Sequence, residues 1–358
     1  MDTILVTGGC GFIGSNFVRA LLAGGHCVIN LDLMTYSASP LTLAELEAHP
    51  NHHFVRGSIA DRRLVSELLE RHRPRALVDL AAETHVDRSI DEPAPFLATN
   101  VTGMYELLEA CRHHCARLPP PERARFRLLH VSTDEVFGPA APGTSAAEDA
   151  RFNPRSPYSA SKAAAEHLVR AWHATYGLPV IVTNCSNNYG PYQFPEKLIP
   201  HSIIRALSGE ELPLYGDGLQ ERNWLHVADH VRALELVLQR GAPGESYHIA
   251  GIGECTNLEM VRRICRILDG TAPRGDGRSH AAAIRHVADR PGHDRRYALD
   301  ARKVEAELGF RATTGLDEGL RSTVAWYLRN RAWWSDLVSR GYALDRIGLG
   351  TAERAARR

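Results

Sequence analysis

The first half of the chain alternates between short apolar runs and longer amphipathic stretches. The apolar runs, each of strand length, lie at residues 2–7, 27–31, 53–55, 76–80, 126–131 and 180–183. The amphipathic stretches, each predicted to be a helix, lie at residues 15–23, 63–71 and 95–118 and around Tyr158. Regular alternation of strand and helix indicates an α/β fold built on a parallel, doubly wound sheet.

Beyond residue 184 the alternation becomes irregular. A polar segment rich in Gly and Pro spans residues 184–200. Strands are then predicted at 212–215, 223–227 and 246–249, and helices at 228–239, 258–268, 301–308 and 316–329. We therefore expect a first domain at residues 1–184, followed at 185–340 by a smaller α/β lobe with some segments returning to the first domain. Residues 341–358 are expected to form a tail.

Glycines mark the junction between the first strand and the first helix. In the run Gly8-Gly9-Cys10-Gly11-Phe12-Ile13-Gly14, glycine spacing permits a tight turn, close approach of a pyrophosphate and close packing of the helix on the strand. The alternative is a glycine-rich turn without function, but the flanking strand and helix match the context of nucleotide binding. Asp32 ends the second strand about 20 residues later, where a carboxylate binds ribose hydroxyls and repels a 2′-phosphate. The first domain is therefore predicted to be a Rossmann domain that binds NAD rather than NADP.

Composition excludes several classes of function. Basic and acidic residues are equal in number, 42 each, so no positive charge excess indicates nucleic acid or a membrane surface as a partner. The seven cysteines are scattered, without a Cys-x-x-Cys pair, which favours a reducing compartment and hence the cytoplasm. No basic leader precedes the first strand, and no run reaches the length of about 18 apolar residues that a membrane span requires.

Two histidine-containing clusters are candidate metal sites. Cys111 and Cys115 enclose His113 and His114, and three histidines lie at positions 49, 52 and 53. Two soft ligands on a helix without a third partner at metal spacing are weak evidence, and His-rich loops are usually solvated. We therefore predict no metal.

The segment Ser132-Thr133-Asp134-Glu135-Val136-Phe137-Gly138 places a hydroxyl and two carboxylates at the end of an apolar strand, where α/β enzymes keep their chemistry. Tyr158 and Lys162 follow at i, i+4 spacing on one helix face. A tyrosine with a pKa near 10 needs a nearby cation to act as a base, and Lys162 and a nicotinamide ring would supply two. With Thr133, this set could take a proton from an alcohol while hydride leaves for NAD.

These residues resemble the extended short-chain dehydrogenase/reductase family. The resemblance rests on the glycine turn, Asp32, Leu80-Ala81-Ala82, Ser132-Thr133 and the Tyr158–Lys162 pair. Longer motifs at residues 82–89, 132–136, 186–198 and 289–297 are similar to those of the dTDP-glucose 4,6-dehydratases within that family, and the likeness extends over about residues 1 to 335.

The resemblance implies a division of labour at the site. Tyr158 would remove the 4-hydroxyl proton of the sugar, and Thr133 would hold that oxygen. Glu135 would act as the base at C5 and Asp134 as the acid on the departing C6 hydroxyl, and hydride would return to C6. An epimerase or decarboxylase of the same superfamily does not need this acid and base pair, whose other interpretation is a helix cap or a surface turn.

The resemblance also implies two sets of binding residues and a partner. NAD would be bound by Gly8, Gly11, Phe12, Ile13, Gly14, Asp32, Thr35, Ser58, Ile59, Ala81, Ala82, Tyr158 and Lys162. The nucleotide sugar would be bound by Thr84, His85, Asn187, Glu196, Lys197, Leu198, Arg222, Asn257, Arg290 and His293. The helices at 95–118 and around Tyr158 would form a four-helix interface between the subunits of a homodimer.

Some segments differ from the family pattern and leave alternatives open. Leu33-Met34, Ser58 and Phe137 replace the usual residues, as do Asn223 and His226, and the tail after Tyr342 lacks the Trp and terminal Asn-Tyr of relatives. The nucleotide base is therefore open, with a UDP-sugar or another activated glucose as alternatives to dTDP-glucose. A nucleotide-sugar 4-epimerase is the alternative enzyme. A dinucleotide-sensing binding protein is the alternative outside enzymes, but such a protein would be expected to lose Tyr158 or Lys162.

Overall fold

The computed structural model describes residues 1–339. Seven of the strands in this range belong to one sheet: β1 (Thr3–Thr7), β2 (Cys27–Asp32), β3 (His52–Arg56), β4 (Ala76–Asp79), β5 (Arg127–Thr133), β6 (Val180–Cys185) and β10 (Ser246–Ile249). The other five strands are β7 (Asn187–Tyr189), β8 (Leu212–Tyr215), β9 (Glu221–His226), β11 (Glu254–Thr256) and β12 (Ile284–Val287).

The helices differ greatly in length. They are α1 (Phe12–Ala23), α2 (Arg62–His72), α3 (Val86–Asp91), α4 (Ala94–Phe96), α5 (Met104–Arg117), α6 (Pro120–Arg125), α7 (Pro157–Tyr176), α8 (Leu198–Leu207), α9 (Val227–Arg240), α10 (Asn257–Thr271), α11 (Arg302–Leu308), α12 (Leu316–Arg329) and α13 (Arg331–Ser339). Short 3₁₀ turns lie at Pro40–Thr42, Ala44–Leu46, Asp134–Phe137 and His280–Ala283.

The seven-stranded sheet confirms the predicted doubly wound architecture. Its order is β10-β6-β5-β4-β1-β2-β3, and every neighbouring pair is parallel. One apolar core contains residues of α1, α9 and α11, and a second contains residues of α2, α5 and α7. Because all seven strands run the same way, their carboxyl ends meet at one edge, where the glycine turn and Thr133 both lie.

The chain leaves this sheet after β6 and builds a second, smaller core. A three-stranded sheet of order β11-β9-β7 and a two-stranded sheet of β12 and β8 pack with α8, α10 and α12 around it. Segment 246–249 and helix α9, which the sequence pattern grouped with the smaller lobe, instead lie in the large sheet and against α1. The chain therefore enters the smaller lobe three times, at β7–β9, at β11–β12 and at α12–α13.

The helix predicted at 95–118 is interrupted in the structure. A π-helical stretch, Leu97–Gly103, joins α4 to α5. Its buried Asn100 accepts a hydrogen bond from the backbone N–H of Glu83 (2.9 Å) and donates to the Ser161 hydroxyl (2.9 Å). Such wide turns occur frequently at functional sites, and this one ties the loop after β4 to helix α7. Within residues 1–339, no helix has the length and apolarity needed to cross a membrane.

Candidate active site

The turn between β1 and α1 is a backbone cradle that side chains would fill. Gly8 adopts φ +68°, and a Cβ there would lie 2.7 Å from the Ala81 nitrogen. A Cβ on Gly14 would lie 2.1 Å from the Gly8 oxygen, so glycine is needed for the helix to approach the strand. Phe12 and Ile13 begin α1 and pack against the core. The turn therefore presents bare backbone to the cavity beside it, and this suits a pyrophosphate.

Asp32, at the end of β2, forms hydrogen bonds with the backbone of the glycine turn and of the segment after β2. Its buried carboxylate accepts hydrogen bonds from the Cys10 N–H (2.9 Å) and the Met34 N–H (2.7 Å). Burial raises the pKa of Asp32, and these two bonds oppose the rise. No basic side chain makes a hydrogen bond or ion pair with it among residues 1–339, so the surroundings suit ribose hydroxyls rather than a phosphate.

One cavity collects most of the predicted NAD residues. Its lining includes Gly8, Gly11, Asp32, Thr35, Ser58, Ile59, Ala81 and Ala82. These residues come from the ends of four different segments, which the parallel sheet brings to one edge. The backbone cradle, the carboxylate and the apolar walls together fit a dinucleotide.

Helix α7 carries Tyr158 and Lys162 and is strongly capped. Ser156 and Ser159 form reciprocal cap hydrogen bonds, and Pro157 occupies the first helical position, an arrangement that satisfies orphan N–H groups. Both Tyr158 and Lys162 are buried. The rigid helix start thus fixes both side chains at the carboxyl edge of the sheet.

The end of β5 turns directly into a 3₁₀ helix that carries the two carboxylates. The Thr133 hydroxyl donates to Asp134 Oδ1 (3.1 Å) and accepts from the Glu135 N–H (3.3 Å). Asp134 Oδ2 and Glu135 Oε2 are buried atoms without a hydrogen-bond partner among residues 1–339. Buried polar atoms are normally paired, so these two oxygens are available to a bound molecule.

The surroundings separate the proton affinities of the two carboxylates. Burial, followed by the charge of Glu135, raises the pKa of Asp134 to about 7. Burial also raises the pKa of Glu135, but Arg290, Arg222 and Lys197 oppose the rise. In this pair, Asp134 is suited to hold a proton near neutrality, and the three cations favour the carboxylate form of Glu135.

Tyr158 does not have the lowered pKa that a base at neutral pH requires. Burial, and after it the charge of Glu135, raises the pKa of Tyr158 well above its ordinary value, and a hydrogen bond with Thr133 opposes this. The protein alone therefore holds Tyr158 as a neutral phenol. A cation bound next to the ring must supply the shift toward the phenolate.

Basic side chains of the smaller lobe face the carboxylates. Arg290 donates to Asp87 Oδ1 (3.0 Å), while its buried Nε has no hydrogen-bond partner among the described residues. Arg222 is buried, donates to the carbonyls of Glu221, Arg295 and Asp294, and lies 4.3 Å from the ring centroid of Tyr297. Arg290 thus keeps a donor for a bound anion, whereas Arg222 is largely engaged by backbone.

The remaining predicted substrate residues have differing surroundings. His293 pairs with Asp289 (2.6 Å), and burial and Arg290 lower its pKa to about 4. Asn187, on β7, has a buried Oδ1 without a partner within residues 1–339. Asn257 is the first residue of α10, close to Cys255, the register partner of Arg222.

A second group ties the smaller lobe to the large sheet. Glu196 pairs with Arg88 (2.8 Å) and lies 3.9 Å from His85, and Lys197 Nζ donates to the Thr84 carbonyl (2.9 Å). The side chain of Leu198 packs against the core of the smaller lobe. Loop 83–88 and segment 196–198 are therefore held together.

Sequence reasoning missed the polar residues behind the site. Asp79 ends β4, and His130 lies within β5; both are buried and hydrogen-bonded to each other, and His130 approaches Lys162. Each is a polar residue inside an otherwise apolar strand, which is a usable signal because such a residue needs a partner. Asn100 in the π-helical stretch gave no comparable signal.

The two candidate metal clusters do not form a ligand set within residues 1–339. Within the described range, no group of three or more His, Cys, Asp or Glu side chains could hold a metal ion. Cys111 and Cys115 are buried in the apolar core beside α2, and all seven cysteines carry free thiols. His53 stacks on His72 instead.

Known proteins are similar to this chain in sequence and fold over almost its full length. A family model described as GDP-mannose 4,6 dehydratase matches residues 5–323. The dTDP-glucose 4,6-dehydratase of Xanthomonas campestris pv. campestris (strain B100) is 52% identical over 348 residues, which cover 97% of this chain and 99% of the relative.

Solved structures show the same relationship. The dTDP-glucose 4,6-dehydratase DesIV from Streptomyces venezuelae, crystallised with NAD, is 45% identical with a TM-score of 0.85, covering 94% of this chain and 99% of its own. The UDP-glucose 4-epimerase from Thermotoga maritima is 28% identical with a TM-score of 0.80, covering 92% of this chain and 99% of its own. Because the dehydratase matches have the higher identity and are nearly complete, this chain belongs to the family of dTDP-glucose 4,6-dehydratases.

Proposed function

We propose that this protein is an NAD-dependent hydro-lyase that converts dTDP-glucose to its 4-keto-6-deoxy product. The observation that carries the proposal is the Asp134–Glu135 pair beside Tyr158, in which each side chain has a buried oxygen without a hydrogen-bond partner among residues 1–339. When bound, NAD supplies the hydride acceptor for oxidation at C4 and the donor for reduction at C6. The residues that would hold it are those of the glycine cradle, with Asp32, Ile59 and Ala81.

The first proton transfer belongs to Tyr158. Its phenolate takes the proton of the sugar 4-hydroxyl, and the Thr133 hydroxyl orients that oxygen by a hydrogen bond. Lys162, buried one turn along α7, offers a cation that favours the phenolate. The resulting ketone at C4 acidifies the proton at C5.

The second stage removes water and needs both carboxylates. Glu135, held as a carboxylate by the nearby arginines, accepts the C5 proton. Asp134, which keeps its proton near neutrality, donates that proton to the departing C6 hydroxyl. The electron pair of the C5–H bond forms the C5–C6 double bond as the C6–O bond breaks, so the elimination is balanced.

Product mass tests this function directly. Incubation with dTDP-glucose and NAD should give a product lighter by the mass of one water, with no net accumulation of NADH. A parallel incubation with UDP-, GDP- and CDP-glucose identifies the preferred base. A product of unchanged mass but inverted configuration at C4 would contradict the dehydratase assignment and support the epimerase alternative.

We also propose that the functional unit is a homodimer formed through α5 and α7 in the cytoplasm. Tyr105 and Tyr176 are 39% and 48% exposed and flank Trp172 in edge-on ring contacts. Leu97 is 55% exposed at the start of the same helical segment. An apolar and aromatic patch on two adjacent helices supports a helix-to-helix contact with a second copy, and the free thiols support a reducing compartment.

Sedimentation equilibrium tests the oligomeric state. The wild-type protein should have twice the chain mass of 39.5 kDa, and the pair of changes Leu97→Glu and Tyr105→Glu should yield monomer. Phe54→Glu is the matched control, because Phe54 is 46% exposed on the edge strand β3. A wild-type monomer, or dissociation of the control alone, would contradict this interface.

A further inference from the structure

A chain of buried hydrogen bonds lies behind Lys162, on the side of the sheet interior. Lys162 Nζ donates to the Val131 carbonyl (2.8 Å) and lies 3.4 Å from His130 Nε2. His130 Nδ1 lies 2.9 Å from Asp79 Oδ2. Asp79, His130 and Lys162 are 1%, 1% and 4% exposed. The proposed reaction assigns no role to Asp79 or His130.

The direction of every hydrogen bond in this chain is determined. The Ala81 N–H donates to Thr7 Oγ1 (3.2 Å), so the Thr7 hydroxyl proton is free to point to Asp79 Oδ1 (2.7 Å). The Asp79 carboxylate only accepts, so His130 Nδ1 carries the proton and donates it. His130 Nε2 is then an acceptor, and it faces the ammonium of Lys162.

Resting on the proposed function, we infer that Asp79 and His130 are positioning residues that fix the ammonium of Lys162, a cation that favours the phenolate of Tyr158 in the proposed reaction. Two of the three N–H donors of the Lys162 ammonium are hydrogen-bonded, one to the Val131 carbonyl and one to His130 Nε2. The direction of the third N–H is therefore fixed. Asp79 also supplies the buried negative charge that accompanies this cation.

The other charged groups around Lys162 do not provide the same constraint. Glu166 lies one turn along α7, but its carboxylate is held by Arg170 (2.7 Å) and by Asn184 (2.9 Å). Cys185 on β6 is a buried thiol whose pKa burial raises to about 12, so it carries no charge at neutral pH. Burial lowers the pKa of Lys162, while Asp79 and Glu166 oppose the fall. Asp79 acts through His130, which is the only hydrogen-bonded route to Lys162 from a carboxylate within residues 1–339.

The same chain connects Lys162 to the NAD cradle. Thr7 precedes Gly8 in sequence, and Ala81 lines the opposite wall of the cavity. A shift of Asp79 would therefore disturb both the cradle and the lysine. One hydrogen-bonded unit therefore fixes the position of Lys162 relative to the cofactor cradle.

The test is Asp79→Asn in the full-length protein with NAD. Thr7 continues to donate to the amide oxygen, so the amide nitrogen turns to His130 Nδ1 and donates. The His130 proton then moves to Nε2, where it opposes the ammonium of Lys162, and an Asp to Asn change beside a histidine is known to act through the wrong tautomer. C4 oxidation, measured as single-turnover NADH formation, should fall at least about tenfold. The acid limb of its pH profile should move up by about one unit, with the KM for dTDP-glucose unchanged.

Two variants at His130 provide the rescue comparison. In His130→Gln the side-chain amide can donate to Asp79 and accept from Lys162, so oxidation should be largely retained. His130→Leu should resemble Asp79→Asn. If Asp79→Asn does not fold, the comparison of His130→Gln with His130→Leu still tests the inference. A His130→Leu enzyme with the wild-type oxidation rate and the wild-type acid limb would overturn it.

A spectroscopic measurement is independent of activity. In protein labelled with ¹⁵N-histidine, the signal lost in His130→Gln identifies His130, and it should show a protonated Nδ1 and a bare Nε2. Asp79→Asn should invert this pattern. A bare Nδ1 in the wild-type protein would overturn the inference.

Asp229→Asn is the matched control. Asp229 is equally buried but accepts hydrogen bonds from Thr313 and Thr314, away from Lys162. Its loss should lower stability without moving the acid limb. If the wild-type enzyme fails to convert dTDP-glucose, the proposed function is contradicted. If the wild-type enzyme is active and Asp79→Asn has the same pH profile as the wild type, only the positioning role is contradicted.

Discussion

Tyr158→Phe is expected to stop oxidation of the sugar at C4. The change removes only the phenolic oxygen, while the ring keeps its edge-on packing against Phe96 at 6.4 Å between centroids. Without an acceptor for the 4-hydroxyl proton, single-turnover NADH formation should fall by about 10²–10⁴-fold, the usual contribution of a positioned acid–base group. Stopped-flow absorbance of NADH with dTDP-glucose measures this step.

The control for this change is another buried tyrosine. Tyr247 is 1% exposed, and its hydroxyl accepts from the Ala242 N–H and donates to Glu307. Tyr247→Phe should lower the free energy of unfolding by about 1 kcal/mol and leave NADH formation unchanged. A Tyr158→Phe enzyme that forms NADH at the wild-type rate would remove Tyr158 from the first step.

Glu135→Gln is expected to separate oxidation from elimination. The amide keeps the size of the side chain but cannot accept the C5 proton, so NADH should form and persist while loss of water falls by about 10²–10⁴-fold. Product mass and exchange of the C5 proton with deuterated water measure the second stage. Parallel loss of oxidation and elimination would mean that Glu135 has another role.

The pH dependence of elimination, measured in the wild-type enzyme and in Asp134→Asn, tests whether Asp134 is the acid. Asp134 must be protonated to donate to the C6 hydroxyl, and its pKa is raised to about 7. Elimination in the wild-type enzyme should therefore decline as pH rises above about 7, while C4 oxidation does not decline in step. Asp134→Asn should abolish this limb of the profile, and a wild-type limb in that variant would exclude Asp134 as the acid.

Much of the architecture follows from patterns in the sequence. The alternating runs place six strands of the large sheet, because buried parallel strands are nearly continuous apolar segments. The register of polar residues at strand ends places Asp32 and Thr133 at one edge. The pattern does not identify the strand at residues 246–249 as one of the segments that return to the large sheet, because a short apolar run carries no information about which sheet it joins.

The chemistry of the site could be predicted only in part. Motif spacing predicts Asp134, Glu135, Tyr158 and Lys162 as candidate site residues, but the order of the pKa values of the two carboxylates depends on burial and on Arg290, which is distant in sequence. The same holds for Tyr158, whose pKa is raised rather than lowered because of burial and the nearby charge of Glu135. Long-range contacts of this kind have no local sequence signature.

The triple entry of the chain into the smaller lobe has a practical consequence for chimeric enzymes. Exchanging substrate preference by transplanting that lobe would require simultaneous junctions around β7–β9, β11–β12 and α12–α13, rather than one cut in a linker. A single-crossover hybrid would leave β10 paired with a foreign β6, with the packing of α9 on α1 mismatched. Changes of specificity within this scaffold are therefore better sought by point substitution than by module exchange.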